Sequence, residues 1–287
     1  MFLLISTFFL LASAIIANKF ALSVLSPMAL VAIRMLGGGL VLLWQERSSL
    51  KAIKNFIFPL TLIALCTTFI NSLLKAYALQ HLPSSKAALI AGLDPIITAM
   101  IAFVMFRESL NAQQLLAIGL AMIGSASLCY DGISGWSTIA PIASCAAFAA
   151  IVIGRYGWIK AQKILVDAHL TPRQLNAGMM VISGSIALAW LMASPTDFFS
   201  QLSNLNSVNL IFALLYTTVI GNVLAYPLYA SLLKKYSATL LSLFGFLIPL
   251  FVTLLAIPLL SETCTSRVII SGAIMFAGVA LFIKASK

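Results

Sequence analysis

The chain is a succession of apolar runs, most of them close to the length of a membrane-crossing helix, separated only by short polar stretches. A helix rising about 1.5 Å per residue needs roughly 20 apolar residues to cross the hydrocarbon of a bilayer. Such runs lie near residues 2–18, 28–45, 56–80, 84–106 and 112–130, and again near 139–159, 173–193, 208–233, 236–260 and 267–284. The intervening clusters, such as Gln45-Glu46-Arg47-Ser48-Ser49 and Asp131-Gly132-Ile133-Ser134-Gly135, are too short to form a soluble domain. In lipid every backbone amide must be bonded within its own segment or to a neighbour, so the runs predict helices. The expected fold is all-α integral membrane, with ten transmembrane helices.

Composition agrees. Of the 287 residues, 62% are hydrophobic and only 8% are charged, against roughly 25% charged in an ordinary soluble domain. So little charge cannot cover a water-facing surface. The net charge of +10 comes from 17 basic residues scattered over short loops. They form no stripe, so an anionic lipid bilayer, rather than nucleic acid, is the expected partner. Cys66, Cys129 and Cys145 lie inside apolar runs and Cys264 near a loop, with no CxxC or CxxxH spacing. They predict small buried hydrophobes, and neither a metal site nor a cofactor is expected. The run from Met1 to Ala17 lacks the basic start of a signal peptide and is taken as the first span.

Lysine and arginine set the expected orientation. Arg47, Lys51, Lys54, Arg107, Arg155, Lys160, Lys163, Arg173, Lys234, Lys235, Lys284 and Lys287 fall in loops on the side of both termini. Lys19, Lys75, Lys86 and Arg267 fall on the other side, and Arg34 lies inside a span. Both termini are therefore expected in the cytoplasm. The first hairpin runs against the trend, since its only positive charge, Lys19, is on the outer side.

The chain also resembles itself. Thr67-Thr68-Phe69-Ile70-Asn71 in the third span echoes Thr217-Thr218-Val219-Ile220-Gly221-Asn222 in the eighth, and Tyr77-Ala78 is matched by Tyr229-Ala230. Pro95 and Glu108 stand 13 residues apart, as do Pro249 and Glu262, and at the same offset of 154 Gly124 matches Gly278. Ser26-Pro27 before the second span corresponds to Thr171-Pro172 before the seventh. A five-helix unit is odd-numbered, so a second copy must enter the membrane from the opposite side. The expected organisation is two inverted-topology five-helix repeats, residues 1–132 and 136–287, an architecture suited to alternating access.

With these features the chain resembles the drug/metabolite transporter superfamily, specifically its EamA-type ten-helix members. The resemblance covers essentially the whole chain. It is carried by Asn18-Lys19, Ser26-Pro27, Arg34, Tyr77-Ala78-Leu79 and the repeated Pro…Glu spacing at Pro95/Glu108 and Pro249/Glu262. It implies cytoplasmic termini and a central cavity for a small-molecule substrate. It further implies an amino acid or similar small metabolite moving outward as cargo. The alternative is uptake or exchange of a nucleotide-like cofactor, for which Arg34, Lys75 and Lys86 would attract anions. Asp94 departs from the family pattern, standing where such proteins more often carry an apolar or small polar residue.

Ionisable groups at membrane depth cost several kcal/mol unless paired or hydrated, which makes each a candidate for function. Asp94, about ten residues into its span, is either a proton-titrating or cation-binding group, with a proton as possible coupling ion, or half of a fixed ion pair with Arg34 or Lys75. Arg34 either binds a substrate carboxylate through both arms of its fork or snorkels outward. Lys75 is closer still to the outer surface and faces the same choice. Asn71 and Asn222, at matching depths, either face a cavity or bond between helices. Tyr226 and Tyr229 either stack on a solute or simply pack. Gly37-Gly38-Gly39 predicts close helix approach.

Other function classes lack their machinery. His81 and His169 lie near loops, and no Ser/His, His/Asp or paired-carboxylate constellation converges in the membrane, which argues against an enzyme. No repeated ring of charge suggests a channel, and there is no GxxxxGK[ST] run for ATP. Coupling is therefore expected to come from a gradient or from exchange. Minimal loops and the lack of a targeting extension favour a bacterial inner membrane.

Overall fold

The computed structural model describes residues 2–47, 49–82, 87, 90–91, 93–94, 97–98, 101, 111–129, 139–167, 170–193, 208–236, 238–245 and 247–260, with isolated positions between 270 and 285. Every regular element among them is helical: α1 (Phe2–Ala21), α2 (Pro27–Gln45), α3 (Ser49–Asn55), α4 (Ile57–His81), α5 (Ala112–Cys129), α6 (Ile139–Asp167), α7 (Pro172–Ala193), α8 (Val208–Lys235), α9 (Ala238–Phe244) and α10 (Leu247–Leu260). Six of these, α1, α2, α4, α6, α7 and α8, are long and apolar enough to cross a membrane. The protein is thus an all-helical, multi-pass membrane protein. The expected fifth and ninth spans correspond to α5 and to the α9–α10 pair, whose apolar stretches are shorter. The expected fourth and tenth, 84–106 and 267–284, lie largely outside the described residues, as do Lys86, Pro95, Glu108, His169 and Glu262.

Polar punctuation starts the helices where the sequence placed it. Ser26 caps α2, its Oγ accepting the Ala29 N–H at 3.3 Å, with Pro27 following. Thr171 and Gln174 bond reciprocally at the head of α7, at 3.1 and 2.9 Å. Asn111 and Gln114 do the same before α5, at 2.8 and 3.0 Å. Each cap satisfies amides that the first turn leaves free and contributes about 1 kcal/mol.

Two helices contain π-helical segments, Leu65–Ile70 in α4 and Thr217–Ala225 in α8. Each contains one of the threonine pairs, Thr67-Thr68 or Thr217-Thr218. In α4 the Thr67 and Thr68 hydroxyls donate back to the Ile63 and Ala64 carbonyls, at 2.7 and 3.0 Å, competing with the normal helical bonds. In α8 Pro227 has no N–H to continue the ladder, and the Tyr226 N–H reaches back to the Gly221 carbonyl.

Bonds between helix ends show which of them share a face. The Thr171 hydroxyl donates to the Glu46 carboxylate, Gln162 donates to the Leu233 and Tyr236 carbonyls, and Asn111 donates to the Ala285 carbonyl. Leu4 packs in one core cluster with Leu165, Leu170 and Leu233. The start of α1 and the ends of α6 and α8 therefore lie at one face of the bundle. On the other face, the Lys19 ammonium donates to the Leu79 and Leu82 carbonyls, the second at 2.9 Å. This cation at the C-terminal end of α4 complements the helix dipole, which gives Lys19 a local reason to stand against the charge trend.

α2 and α7 pack in backbone contact. A β-carbon on Gly39 would meet the Val181 backbone nitrogen at 2.9 Å, and one on Gly184 would meet that of Leu36 at 2.6 Å. The close approach expected of the glycine triplet is thus present. Outside, Phe58 is 84% exposed and Trp44, Trp190 and Phe212 also face outward, an apolar surface that lipid must cover.

Two expectations need correcting. The cysteines are not all buried: Cys145 is exposed and Cys66 only half-buried. More consequentially, α6 does not end near residue 159 but runs to Asp167. Arg155, counted above among the loop cations although the expected span 139–159 already included it, lies well inside the helix and leaves the orientation tally. Lys160 and Lys163 extend the helix instead of ending it, Lys160 lying 5.6 Å from the Tyr156 ring centre.

Candidate functional site

A cavity of about 240 Å³ opens among α1, α2, α4, α6, α8 and α10. It is lined by the later part of α1, the beginning of α2, the end of α4 and the first two-thirds of α6, all towards the face that carries Lys19. Its deepest wall is aromatic. Phe8, Trp158 and Tyr229 interlock there, with ring centres 6.2 Å apart for Phe8 and Tyr229 and 4.8 Å for Trp158 and Tyr229, both edge-to-face. Tyr226 lies 6.0 Å from Trp158. Beyond this wall the helices close on one another through Leu60, Ile63, Leu165 and Met179.

Asp94 is buried against the cavity and holds Arg155, which donates through Nε to one carboxylate oxygen and through Nη2 to the other. Nη1 of the same guanidinium donates to the Tyr229 hydroxyl, and the guanidinium carbon sits 5.9 Å from the Tyr229 ring centre. The ion pair expected between Asp94 and Arg34 or Lys75 is therefore made with Arg155 instead. Hydropathy reading had assigned that arginine to a loop and so never offered it as a partner. A usable signal existed: Ala147, Ile151, Gly154, Arg155 and Trp158 share one helical face, and all five line the cavity. Trp158 stands inside the expected sixth span and, being apolar, carries no signal of its own there.

α6 approaches the site closely because of Gly154. A β-carbon there would fall 2.1 Å from the Asn71 amide nitrogen. Asn71 lines the cavity as expected, and its Oδ1 is buried with no hydrogen-bond partner among the described residues. Asn222, its sequence counterpart, does not line the cavity. It is fully buried behind Arg34, accepting from Arg34 Nη2 at 2.9 Å and donating to the Arg34 carbonyl at 2.7 Å. Gly38 makes room for it, since a β-carbon there would meet Asn222 Cβ at 2.7 Å. Arg34 completes its contacts by donating from Nη1 to Asn18 Oδ1 at 2.9 Å. It does not snorkel outward: it is 8% exposed and lines the cavity.

Lys75 and Tyr226 both line the cavity, as does Tyr229. The α9–α10 break lies at the same place. There the Ile248 N–H bonds back to the Gly245 carbonyl, and a β-carbon on Gly245 would stand 3.5 Å from the Asp94 carboxylate. Among the described lining residues, three cations, Arg34, Lys75 and Arg155, face one carboxylate, Asp94. The site is thus a water-accessible pocket in an apolar bundle, positively charged along its walls and aromatic at its base. It suits a small solute with both a polar and a flat apolar part.

Known proteins resemble this chain along most of its length. An S-adenosylmethionine/S-adenosylhomocysteine transporter from Chlamydia muridarum is 27% identical over 270 residues, covering 91% of this chain and 84% of that protein. The protein of the same description from Chlamydia trachomatis serovar L2 is 26% identical over 91% of this chain and 82% of its own length. The WAT1-related protein At3g02690, chloroplastic, from Arabidopsis thaliana is 27% identical over 97% of this chain and 68% of its own. A solved crystal structure at 17% identity superposes with a TM-score of 0.77, covering 97% of this chain and 94% of that one, and so has the same fold. The model of the EamA-like transporter family matches residues 1–130 and 141–284. This chain belongs to the EamA-like transporter family and is a membrane transporter.

Proposed function

We propose that this protein carries a nucleoside-bearing amino acid of the S-adenosylmethionine and S-adenosylhomocysteine kind across a bacterial inner membrane, by alternating access. The observation that carries this reading is the cavity itself, where an aromatic base of Trp158, Tyr226 and Tyr229 adjoins a cationic wall. An adenine ring suits the first and an amino-acid carboxylate the second. The description of the Chlamydia relatives supports it. Of the two cargoes implied by the sequence, an exported amino acid and an exchanged cofactor-like metabolite, this favours the second.

The proposed frame is ten helices in two inverted halves, residues 1–132 and 136–287, with both termini cytoplasmic. Supporting it, the family model matches two stretches of similar length, and a π-helical segment falls on the paired threonines of each half. In this frame the cavity faces outward and the aromatic wall closes the cytoplasmic side. Exchange suits the site better than proton coupling, because Asp94 is already held by Arg155 at both oxygens.

The test is counterflow in proteoliposomes. Vesicles loaded with S-adenosylhomocysteine should accumulate labelled S-adenosylmethionine, and vesicles loaded with methionine or adenosine alone should not. Exchange of labelled methionine without exchange of labelled S-adenosylmethionine would return the protein to the amino-acid reading.

A further inference from the structure

The positive charge of the cavity is not evenly used. Arg155 is fully engaged by Asp94 and Tyr229. Arg34 is not matched in this way. It is 8% exposed, and both of its side-chain bonds go to neutral amide oxygens, those of Asn18 and Asn222. Its Nε has no partner among the described residues, and Arg155–Asp94 is the one ion pair they contain. A buried guanidinium without a counter-charge is expensive in a protein interior, and more so within a bilayer. Such a charge persists where an anion is supplied from elsewhere.

Lys75 lines the same cavity. Its ammonium makes no hydrogen bond or ion pair with the described residues, although its side chain is exposed to the cavity. α2 and α4, which carry the two cations, pack directly through Leu30, Val31, Ala76 and Leu79. Gly221 contributes the remaining feature. It lines the cavity beside Arg34, a β-carbon there standing 3.9 Å from Nη2 in ordinary van der Waals contact.

The geometry points to Arg34 and Lys75 as a subsite for the ligand's carboxylate, with Asn18 and Asn222 positioning the arginine. The ligand class is a monocarboxylate on a zwitterionic amino-acid end, and the counter-charge that Arg34 lacks among the described residues arrives with it. Asp94 and Arg155 neutralise each other and hold the two halves of the chain together, taking no part in carboxylate binding. This deepens the proposed function but does not depend on the adenine end of the ligand.

The experiment measures ligand binding to the detergent-purified full chain by calorimetry, with four probes: S-adenosylhomocysteine, its carboxamide, methionine and methionine amide. A charge-assisted bond lost to the amide should weaken binding by at least about tenfold. Lys75→Gln should bring the acid-to-amide ratio close to unity, and Lys75→Arg should restore it. Arg34→Gln should act in the same direction. Because Arg34 also ties α1, α2 and α8 together, the Lys75 position, exposed to the cavity, carries the test if that variant misfolds. Binding of methionine with the full acid preference, but no binding of S-adenosylhomocysteine, would keep the subsite and remove the nucleoside substrate. Equal binding of acid and amide, a preference untouched by Lys75→Gln, or no binding of either acid would overturn the subsite.

Discussion

Arg155 of α6 grips both carboxylate oxygens of Asp94, joining residues from opposite halves of the chain across the cavity. A planar guanidinium matched to a planar carboxylate is the strongest geometry such a pair can adopt. Removing one partner leaves the other charged and buried.

Asp94→Asn should therefore destabilise the protein by about 3–5 kcal/mol, since asparagine keeps the shape but strands Arg155. Thermal melting of the purified variant reads this directly. Adding Arg155→Gln should recover most of the loss, whereas adding Lys75→Gln should not. An Asp94→Asn protein that melts like the parent but no longer exchanges substrate would instead make Asp94 a transport residue.

Gly154 lets α6 pack tightly against Asn71, a β-carbon there falling 2.1 Å from the Asn71 amide nitrogen. Gly154→Ala should cost about 1–3 kcal/mol, because its methyl group must displace the Asn71 amide. Combining it with Asn71→Ala should relieve most of that penalty, a coupling measurable as a double-mutant cycle. Gly119→Ala is the control. Nothing lies within 4 Å of that β-carbon, so the helix should gain roughly 0.5–1 kcal/mol.

Asn71 and Asn222 match in sequence yet differ in exposure to the cavity. In a background without the native cysteines, Asn71→Cys should react with a small hydrophilic thiol reagent and be protected by substrate. Asn222→Cys, behind Arg34, should stay inert in the folded protein. Rapid labelling at residue 222 would place it on the aqueous path and refute the assignment as a positioning residue.

Topology is tested outside the cavity. Single cysteines at Ser134 and at Ser48 should label from opposite sides of the membrane, with Ser48 on the cytoplasmic side. Labelling of both from one side would dismantle the inverted arrangement of residues 1–132 and 136–287.

Much of the fold was legible because lipid imposes its demands segment by segment. Each apolar run must satisfy its own amides and span a fixed thickness, so the positions of α1, α2, α4, α7 and α8 follow from local composition. Caps such as Ser26 and Thr171 are equally local, each acting within one turn. The broad family followed from motif order along the chain, and Asp94, Arg34, Lys75, Asn71 and Tyr226 could be singled out because polar groups are conspicuous in apolar runs.

Which of those groups meet was a tertiary decision. Partner choice depends on how each helix is rotated and how far it slides against its neighbours, and hydropathy is indifferent to both. Lys160 and Lys163 look like a loop in sequence, yet long cationic side chains extend from a helix at little cost, so α6 continues to Asp167, while the rotation of α6 against its neighbours sets Arg155 opposite Asp94. Asn71 and Asn222 occupy equivalent sequence positions. Gly154 brings the first against α6 at the cavity wall, while Gly38 admits the second behind Arg34. The sequence by itself determined a helical membrane protein with costly charges inside it; only the packing of glycine-thinned helix surfaces decided which charges cancel and which remain open to a ligand.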